Sequence, residues 1–475
     1  MNPFLLAAAA VTTAAVGAGA PSPASPGASA AAPVPSTVTV GSAPATPPGV
    51  SPPAVAPRGS ARVLGLAEAE NFAELHQPSL TVARATTDVS RARADQTLAP
   101  LLPQVNAQAS YQRQTENFAA RSSTLPSSVN SQSSKANFDT VGVYNFGLGA
   151  SELVYDFGQT YGVHHAASVN AEATKQSEFT TLLGVLFNVR SAYLQAWAQK
   201  ALVAVDQVTL TNDQRHLEQV EGFVNAGSRP EIDLAQSRAD LANAELALVN
   251  ARGAYDSARA QLVQAMGLDA MFDFEVADEA VGPVDGEDLP ADRLMPSALA
   301  ARPEILALGK QLQAQELTVR ADKGGYGPSL SVSANASENG ADITSLTWNV
   351  SAGATLQWQL FQGGLTRAVV RGAVANESLI RAELIQERQQ VQLDVVQALL
   401  GVRGAKVAIT TAQEVETNTK EQLRLAEGRY RAGAGSIIEL QDAQVADSSA
   451  AAQVVQAEYS LYVARASLKK ALGRR

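Results

Sequence analysis

Apolar and polar residues alternate without a break over WNVSAGATLQWQL. Trp348, Val350, Ala352, Ala354, Leu356, Trp358 and Leu360 fall on one face, and Asn349, Ser351, Gly353, Thr355, Gln357 and Gln359 on the other. That period of two is the signature of a β-strand. LSVSANAS repeats it, with Leu330, Val332, Ala334 and Ala336 against Ser331, Ser333, Asn335 and Ser337. An earlier stretch is looser but similar: Val105, Ala107, Ala109 and Tyr111, then Tyr144, Phe146, Leu148 and Ala150. Between these segments the pattern is helical. Helices are predicted over about 64–98, 159–225, 229–267, 296–322, 365–431 and 435–472, punctuated by Gly and Pro.

The chain repeats itself. Gln77–Val105 matches Arg302–Leu330 at a constant offset of 225, with Pro78 on Pro303 and Pro103 on Pro328. Further on the offset becomes 206: Tyr155 falls on Phe361, Gly158 on Gly364, Val189 on Val395, Gly227 on Gly433 and Gly267 on Gly473. The first repeat therefore spans 62–267, with strands about 104–156 and a turn near 227. The second spans 296–473, with strands about 329–361 and a turn near 433. Each is a helix, two strands, a long helix, a Gly turn and a shorter return helix. The combined length of helices 229–267 and 296–322 matches the long helix 159–225, which predicts two short helices stacked end to end beside a long one of roughly 100 Å. The acidic, Pro-containing connector 268–295 is expected to bulge out at their junction.

Trp348 and Trp358 stand ten residues apart on the apolar face. At ~3.3 Å per residue and ~45° tilt this spans about 23 Å, the height of a membrane-barrel strand between its aromatic belts. The opposite face is polar and uncharged, which suits a water-filled lumen. A half-buried soluble sheet also gives alternation, so the Trp spacing favours the membrane without requiring it. Four strands cannot close a barrel, since the smallest use about eight, and open edges are not viable in lipid. If these strands span a membrane, several copies must pool them, and three copies supply twelve.

Composition narrows the function. The chain has 475 residues, 17% of them charged, a net charge of −10 and no cysteine. The acidic balance argues against nucleic acid as partner, and no thiolate metal site or disulfide is possible. Residues 1–20 end in Ala18-Gly19-Ala20 and read as a secretory signal peptide, although no Lys or Arg precedes Arg58. No other window is read as a membrane-spanning helix. Residues 21–61 are a Pro/Ala-rich tether, with eleven prolines and no charge over 21–57. No Ser-His-Asp spacing, phosphate cradle or metal constellation stands out, so no cofactor is implied and an enzyme is not expected. His164 and His165 point apart on a helix, and His76 and His216 are isolated in sequence.

LVYDFG and LFQGG at the strand-to-helix transitions, LLPQV and GYGPSLSV after the first helices, and the paired turns FVNAGSRPEIDLAQ and YRAGAGSIIELQDAQ occur in order in both halves. In this the chain resembles the TolC family of outer-membrane channel proteins over nearly everything from Arg62 to Gly473. The resemblance implies a mostly α protein with a membrane β-barrel: a homotrimer with twelve strands in outer-membrane lipid and a coiled-coil tunnel through the periplasm. Its tunnel would dock with a periplasmic membrane-fusion adaptor and an inner-membrane pump of RND or ABC type. It would serve as the passive, gated exit duct of a tripartite efflux or type I secretion system. The chain stops two residues after Gly473 and has no cysteine, so neither a C-terminal belt extension nor an N-terminal lipid anchor is expected. The competing reading is a periplasmic or surface coiled-coil scaffold without a pore.

The resemblance also places the gate at the hairpin tips. Asp233 is Gly227+6, Glu439 is Gly433+6 and Asp442 is Gly433+9. Residues i and i+3 share a helix face, so in a trimer Glu439 and Asp442 would form two acidic rings that concentrate cations. Without the resemblance the simpler role is capping, because Ser436-Ile437-Ile438-Glu439 and Ser228-Arg229-Pro230-Glu231 both read as capping boxes. The two roles are compatible. Tyr430 and Asp233 occupy the positions of the family's Tyr–Asp latch. The latch Arg position, Gly433+2, is Gly435, leaving Arg431 or Arg229 as substitutes. The tip turns, Gly227, Gly433 and Gly435, are the expected adaptor contact.

Overall fold

The computed structural model describes residues 62–115, 140–269, 273–279 and 281–475. The expected signal peptide and tether, 1–20 and 21–61, lie outside the described residues. In chain order the elements are β1 (Arg62–Leu64), α1 (Leu66–His76), α2 (Pro78–Leu98), β2 (Gln104–Thr115), β3 (Thr140–Tyr155), α3 (Gln159–Asn225) and α4 (Glu231–Met266). There follow β4 (Phe274–Val276), α5 (Ala291–Ala301), α6 (Pro303–Gly324), β5 (Ser329–Gly340), β6 (Thr347–Gln357), α7 (Leu365–Arg431) and α8 (Ile437–Ala471). The long helices α3 and α7 have the predicted limits and 67 residues each. Helix α3 packs against α4, α2, α6 and α8, and α7 against α8 and α6.

Two expected single helices are each broken in two. The breaks fall at Gln77 (φ −66°, ψ 118°) and Arg302 (φ −69°, ψ 118°), each immediately before a proline. A following proline ring clashes with the α conformation and drives its predecessor to extended ψ. Each break receives the end of a return helix. A Cβ on Gly267, after α4, would lie 2.6 Å from Cα of Gln77, and one on Gly473, after α8, 2.9 Å from the carbonyl oxygen of Ala301. Both glycines also have positive φ, 75° and 69°, so only glycine fits the geometry and the space. Gln77 Nε2 donates to the carbonyl of Ala265 at 2.9 Å, and Arg302 Nη1 to that of Lys470 at 3.2 Å. The end-to-end partners are therefore α4 with α2 and α8 with α6. The expected pairing of 229–267 with 296–322 followed sequence order, whereas the joints form within each half.

The connector does not simply bulge outward. Its β4 pairs in parallel with β1, Leu64 opposite Val276, and Leu64, Phe274 and Val276 are buried in a core with Val189, Tyr193, Leu262 and Met266. Tyr193 donates its hydroxyl to the carbonyls of Leu64 (3.2 Å) and Ala277 (3.1 Å). Farther along, Glu287 is buried and accepts from both Arg465 Nη2 and Nε at 3.1 Å, while Lys406 Nζ lies 2.7 Å away. The connector is thereby tied to α7 and α8.

The four longer strands form one antiparallel sheet in the order β2-β3-β5-β6. Its register aligns whole rows: Ala107, Leu148, Ala336 and Val350 lie side by side, and the next row is Gln108, Gly147, Ser337 and Asn349. Apolar and polar rows therefore alternate across the middle of the sheet, giving it a mainly apolar and a mainly polar face, although Glu152 stands beside Val332 in an apolar row and Val143 beside Gln112 in a polar one. Glu338 interrupts an apolar row between Phe146 and Trp348. Strand β6 ends at Gln357, short of the expected 361, because its last partner is Ser329 and Pro328 follows with no N–H to offer. Trp358 lies just beyond, donating Nε1 to the carbonyl of Tyr326 at 3.0 Å. Trp348, Val350, Leu356 and Trp358 are all exposed.

Helix α7 departs from the sequence reading in one respect. It contains a window of mean hydropathy 1.2, long and apolar enough by composition to cross a membrane. Val391, Val395, Leu399 and Val402 of this helix are buried beside Leu461 and Leu468 of α8, while Leu400 and Val407 stay exposed, so a third of the window is buried in the protein.

Candidate functional site

Both helical hairpins turn in the same way. After α3, Gly227 (φ 70°) donates its N–H to Val224 and Ser228 to Phe223; after α7, Gly433 (φ 74°) donates to Tyr430 and Ala434 to Arg429. This paired bonding is a Schellman cap, which needs a left-handed residue at the glycine. The two return helices start differently. Ser436 Oγ accepts from Glu439 N–H at 3.1 Å, so the serine half of the expected box forms at α8, while the Glu439 carboxylate turns to Arg429. At α4 the N-cap is Pro230 without a side-chain bond, and Ser228 Oγ instead donates to Phe223 O at 2.9 Å. The second expected box does not form because the preceding cap has already engaged Ser228.

The structure brings Tyr430 and Asp233 together and separates them from the other acids. Tyr430 is 1% exposed and Asp233 5%; the phenol donates to Asp233 Oδ2 at 3.4 Å. Tyr430 packs with Val220, Ala426, Leu440 and Ala443. Its hydroxyl is held above the ordinary value, by burial first and then by the Asp233 charge, so it stays a donor. Glu439 is half-buried and pairs with Arg429 at 3.1 Å. Asp442 is exposed.

Of the two expected substitutes for the arginine, Arg229, on the turn between α3 and α4, is the one that reaches Tyr430. Its guanidinium sits 4.4 Å from the Tyr430 ring centroid, and Nη2 donates to the carbonyls of Tyr430 (3.1 Å) and Gly435 (3.2 Å). Arg431 turns away to Glu427 at 3.3 Å. A side chain at Gly435 would be tight: an added Cβ would lie 3.1 Å from the Tyr430 nitrogen and 3.2 Å from Arg429.

Sequence reasoning missed two residues here. His216 of α3, isolated in sequence, is 7% exposed, with its ring 5.5 Å from that of Tyr430, edge to face. Asp240 of α4 accepts from Gln236 and from Gln441 of α8. Nearby, burial and then the Asp240 charge push Asp213 up to about 6. No sequence signal marks them, since each reads as an ordinary polar residue of a long helix. His164 is structural, with Nδ1 3.0 Å from the Ala94 carbonyl.

The chain thus combines a two-faced sheet with open edges and helices of 67 residues that end in bonded tips. The family model described as outer membrane efflux protein matches residues 71–268 and 294–474. The chain belongs to that family, which decides against the pore-less scaffold. It is 25% identical over 386 residues to the pyoverdine export outer membrane protein OpmQ of Pseudomonas aeruginosa, covering 79% of this chain and 78% of that one. It is 24% identical over 359 residues to the cation efflux system protein CusC of Escherichia coli, covering 71% and 75%. Among solved structures, CusC superposes with a TM-score of 0.74 at 21% identity, over 86% of this chain and 92% of that one. The Campylobacter jejuni CmeC outer membrane channel superposes with 0.73 at 18%, over 86% and 85%.

Proposed function

We propose that the protein is the outer-membrane duct of a tripartite efflux system, a homotrimer working with a periplasmic adaptor and an inner-membrane pump. One observation carries the trimer: the sheet of each chain has an apolar face and two unpaired edges, β2 and β6. In lipid every backbone donor and acceptor must be satisfied, and three chains joined edge to edge supply a closed ring of twelve strands. The matching order of elements on either side of the connector supports an internal duplication. The relatives are named for pyoverdine export, toluene efflux and cation efflux, which favours small solutes over secreted proteins as cargo.

The periplasmic gate lies at the hairpin tips. Tyr430, Asp233 and Arg229 form its latch within each protomer, and Glu439 and Asp442 present carboxylates towards the pore mouth. Exposed Ile232 and Ile438, with Gly227, Gly433 and Gly435, form the apolar tip that meets the adaptor. Trp348 and Trp358 anchor the barrel at its two membrane interfaces, Residues 1–20 direct secretion, and 21–61 tether the folded body. The deciding test is reconstitution in planar bilayers together with heat-modifiability in gels. Discrete conductance steps from a heat-sensitive trimer are expected; a monomer without conductance would overturn the assignment.

A further inference from the structure

His216 Nε2 is buried without a hydrogen-bond partner, which costs free energy when nothing compensates it. Its ring packs edge to face on Tyr430, the phenol that donates to Asp233. We propose that His216 is a proton sensor that releases the Tyr430–Asp233 latch when the periplasm acidifies. This rests on the reading of the tips as a gate.

The groups facing His216 set the sign. From α4 come Asp233 and Asp240, from α7 Tyr430 with Arg229 stacked on it, and on its own helix Asp213 lies one turn earlier. Helix α8 contributes Gln441, already bonded to Asp240. Burial lowers the imidazole below its ordinary value of 6.5, opposed by the Asp240 and Asp233 charges. The ring is therefore neutral in the closed latch at neutral pH. A base whose pKa is depressed in one state stabilises that state at high pH, and the stabilisation fades as pH falls below the ordinary value. A proton on the ring places a buried cation next to Tyr430, and the available acceptors are Asp233 and Asp240. Drawing Asp233 towards the imidazolium removes the acceptor of the Tyr430 hydroxyl, and the latch opens. Asp213 works the other way. Its raised pKa favours the packed state at low pH and loses that effect as pH rises through about 6.

The test is single-channel recording of the full trimer at about pH 7.5 and about pH 5, comparing wild type with His216→Gln, His216→Phe and Asp213→Asn. The readout is the ratio of open probability at the two values within each variant, after heat-sensitive trimers have been confirmed. Wild type should open several-fold more at acid pH. Both His216 variants should lose that step, His216→Phe while keeping the aromatic contact, and Asp213→Asn should keep or enlarge it. A step that survives in both His216 variants, or its absence in wild type, overturns the sensor. No conductance from any variant at either pH overturns the duct reading instead.

Discussion

Arg229, in the tip turn of the first hairpin, donates to the carbonyl of Gly435 in the tip turn of the second, at 3.2 Å. The same nitrogen reaches Tyr430 O, and the guanidinium covers the Tyr430 ring. One side chain thus fastens the two tips of a protomer. Charged hydrogen bonds and a cation–π contact at a partly exposed site together stabilise such an arrangement by about 1–3 kcal/mol. Arg229→Ala should raise the open-to-closed ratio roughly 5- to 150-fold, read from channel recordings. Arg229→Lys should recover only part of this, because an ammonium cannot stack as a planar fork does. Unchanged gating in Arg229→Ala would remove the residue from the latch.

Tyr430→Phe deletes a long bond, 3.4 Å, to a buried carboxylate. The loss is about 0.5–1.5 kcal/mol, and conductance should rise modestly. Wild-type behaviour would sink the role of this hydroxyl.

Gly435→Arg restores an arginine to the family position but should not tighten the gate. Its Cβ would press on Tyr430 and Arg429 within about 3.2 Å, and the new side chain would compete with Arg229. Gating should loosen; a channel closing more firmly than wild type contradicts the assignment of the latch to Arg229.

Glu439 already has Arg429 beside it at 3.1 Å, whereas Asp442 is exposed with no ion pair among the described residues. Asp442→Ala should therefore reduce cation selectivity more than Glu439→Ala, measured as reversal potential across a salt gradient. The reverse order would show that Asp442 faces away from the pore.

Glu287 gives a stability prediction with a definite sign. Burial alone would raise its carboxyl, but hydrogen bonds from Arg465, Lys406 and the Val284 N–H bring it down from 4.5 to about 2. A depressed carboxylate stabilises the fold above its unfolded pKa and loses that contribution as pH falls, here between about 4.5 and about 2. The effect is on the order of 3 kcal/mol. Thermal melts of the trimer should fall steeply in that window, and Glu287→Gln should be less stable at neutral pH with a flatter acid limb. Parallel curves for the two proteins would exclude Glu287 as the cause.

Val350 and Ser351 are neighbours on opposite faces of β6. Val350→Arg puts a cation on the apolar face, at a cost of about 2–4 kcal/mol near the bilayer midplane. Heat-sensitive trimers should be depleted from the outer membrane, whereas Ser351→Arg should assemble normally and change conductance. Equal assembly of both would place the sheet outside lipid.

The sequence carries the long elements clearly because their limits are set locally. Gly227 and Gly433 stop α3 and α7 by needing positive φ, and strict alternation defines β5 and β6. The pairing of β1 with β4 was not legible, because strands of three residues more than two hundred positions apart leave no periodic trace. Nor were the breaks at Gln77 and Arg302 read as separate helices, although Pro78 and Pro303 mark them. At the tips, Tyr430 and Asp233 came from spacing and resemblance. Arg229 was one of two open choices, and only distance decides between it and Arg431. His216 and Glu287 gave no signal, since burial of a lone histidine or of one acid in an acidic connector is a tertiary fact.

The joints at Gly267 and Gly473 make the two hairpins into masts and booms. Helices α3 and α7 run unbroken, while α4 and α8 each end against the break before a proline. Helix α4 has 36 residues, a length of about 54 Å. The two joints are held differently. Gln77 holds the first with a neutral amide; Arg302 holds the second with a cation also anchored to Asp394 at 3.0 Å. The return helix that begins beside Asp233 is thus held at its far end by a neutral amide, and the one that begins beside Glu439 and Asp442 by a cation bonded on both sides.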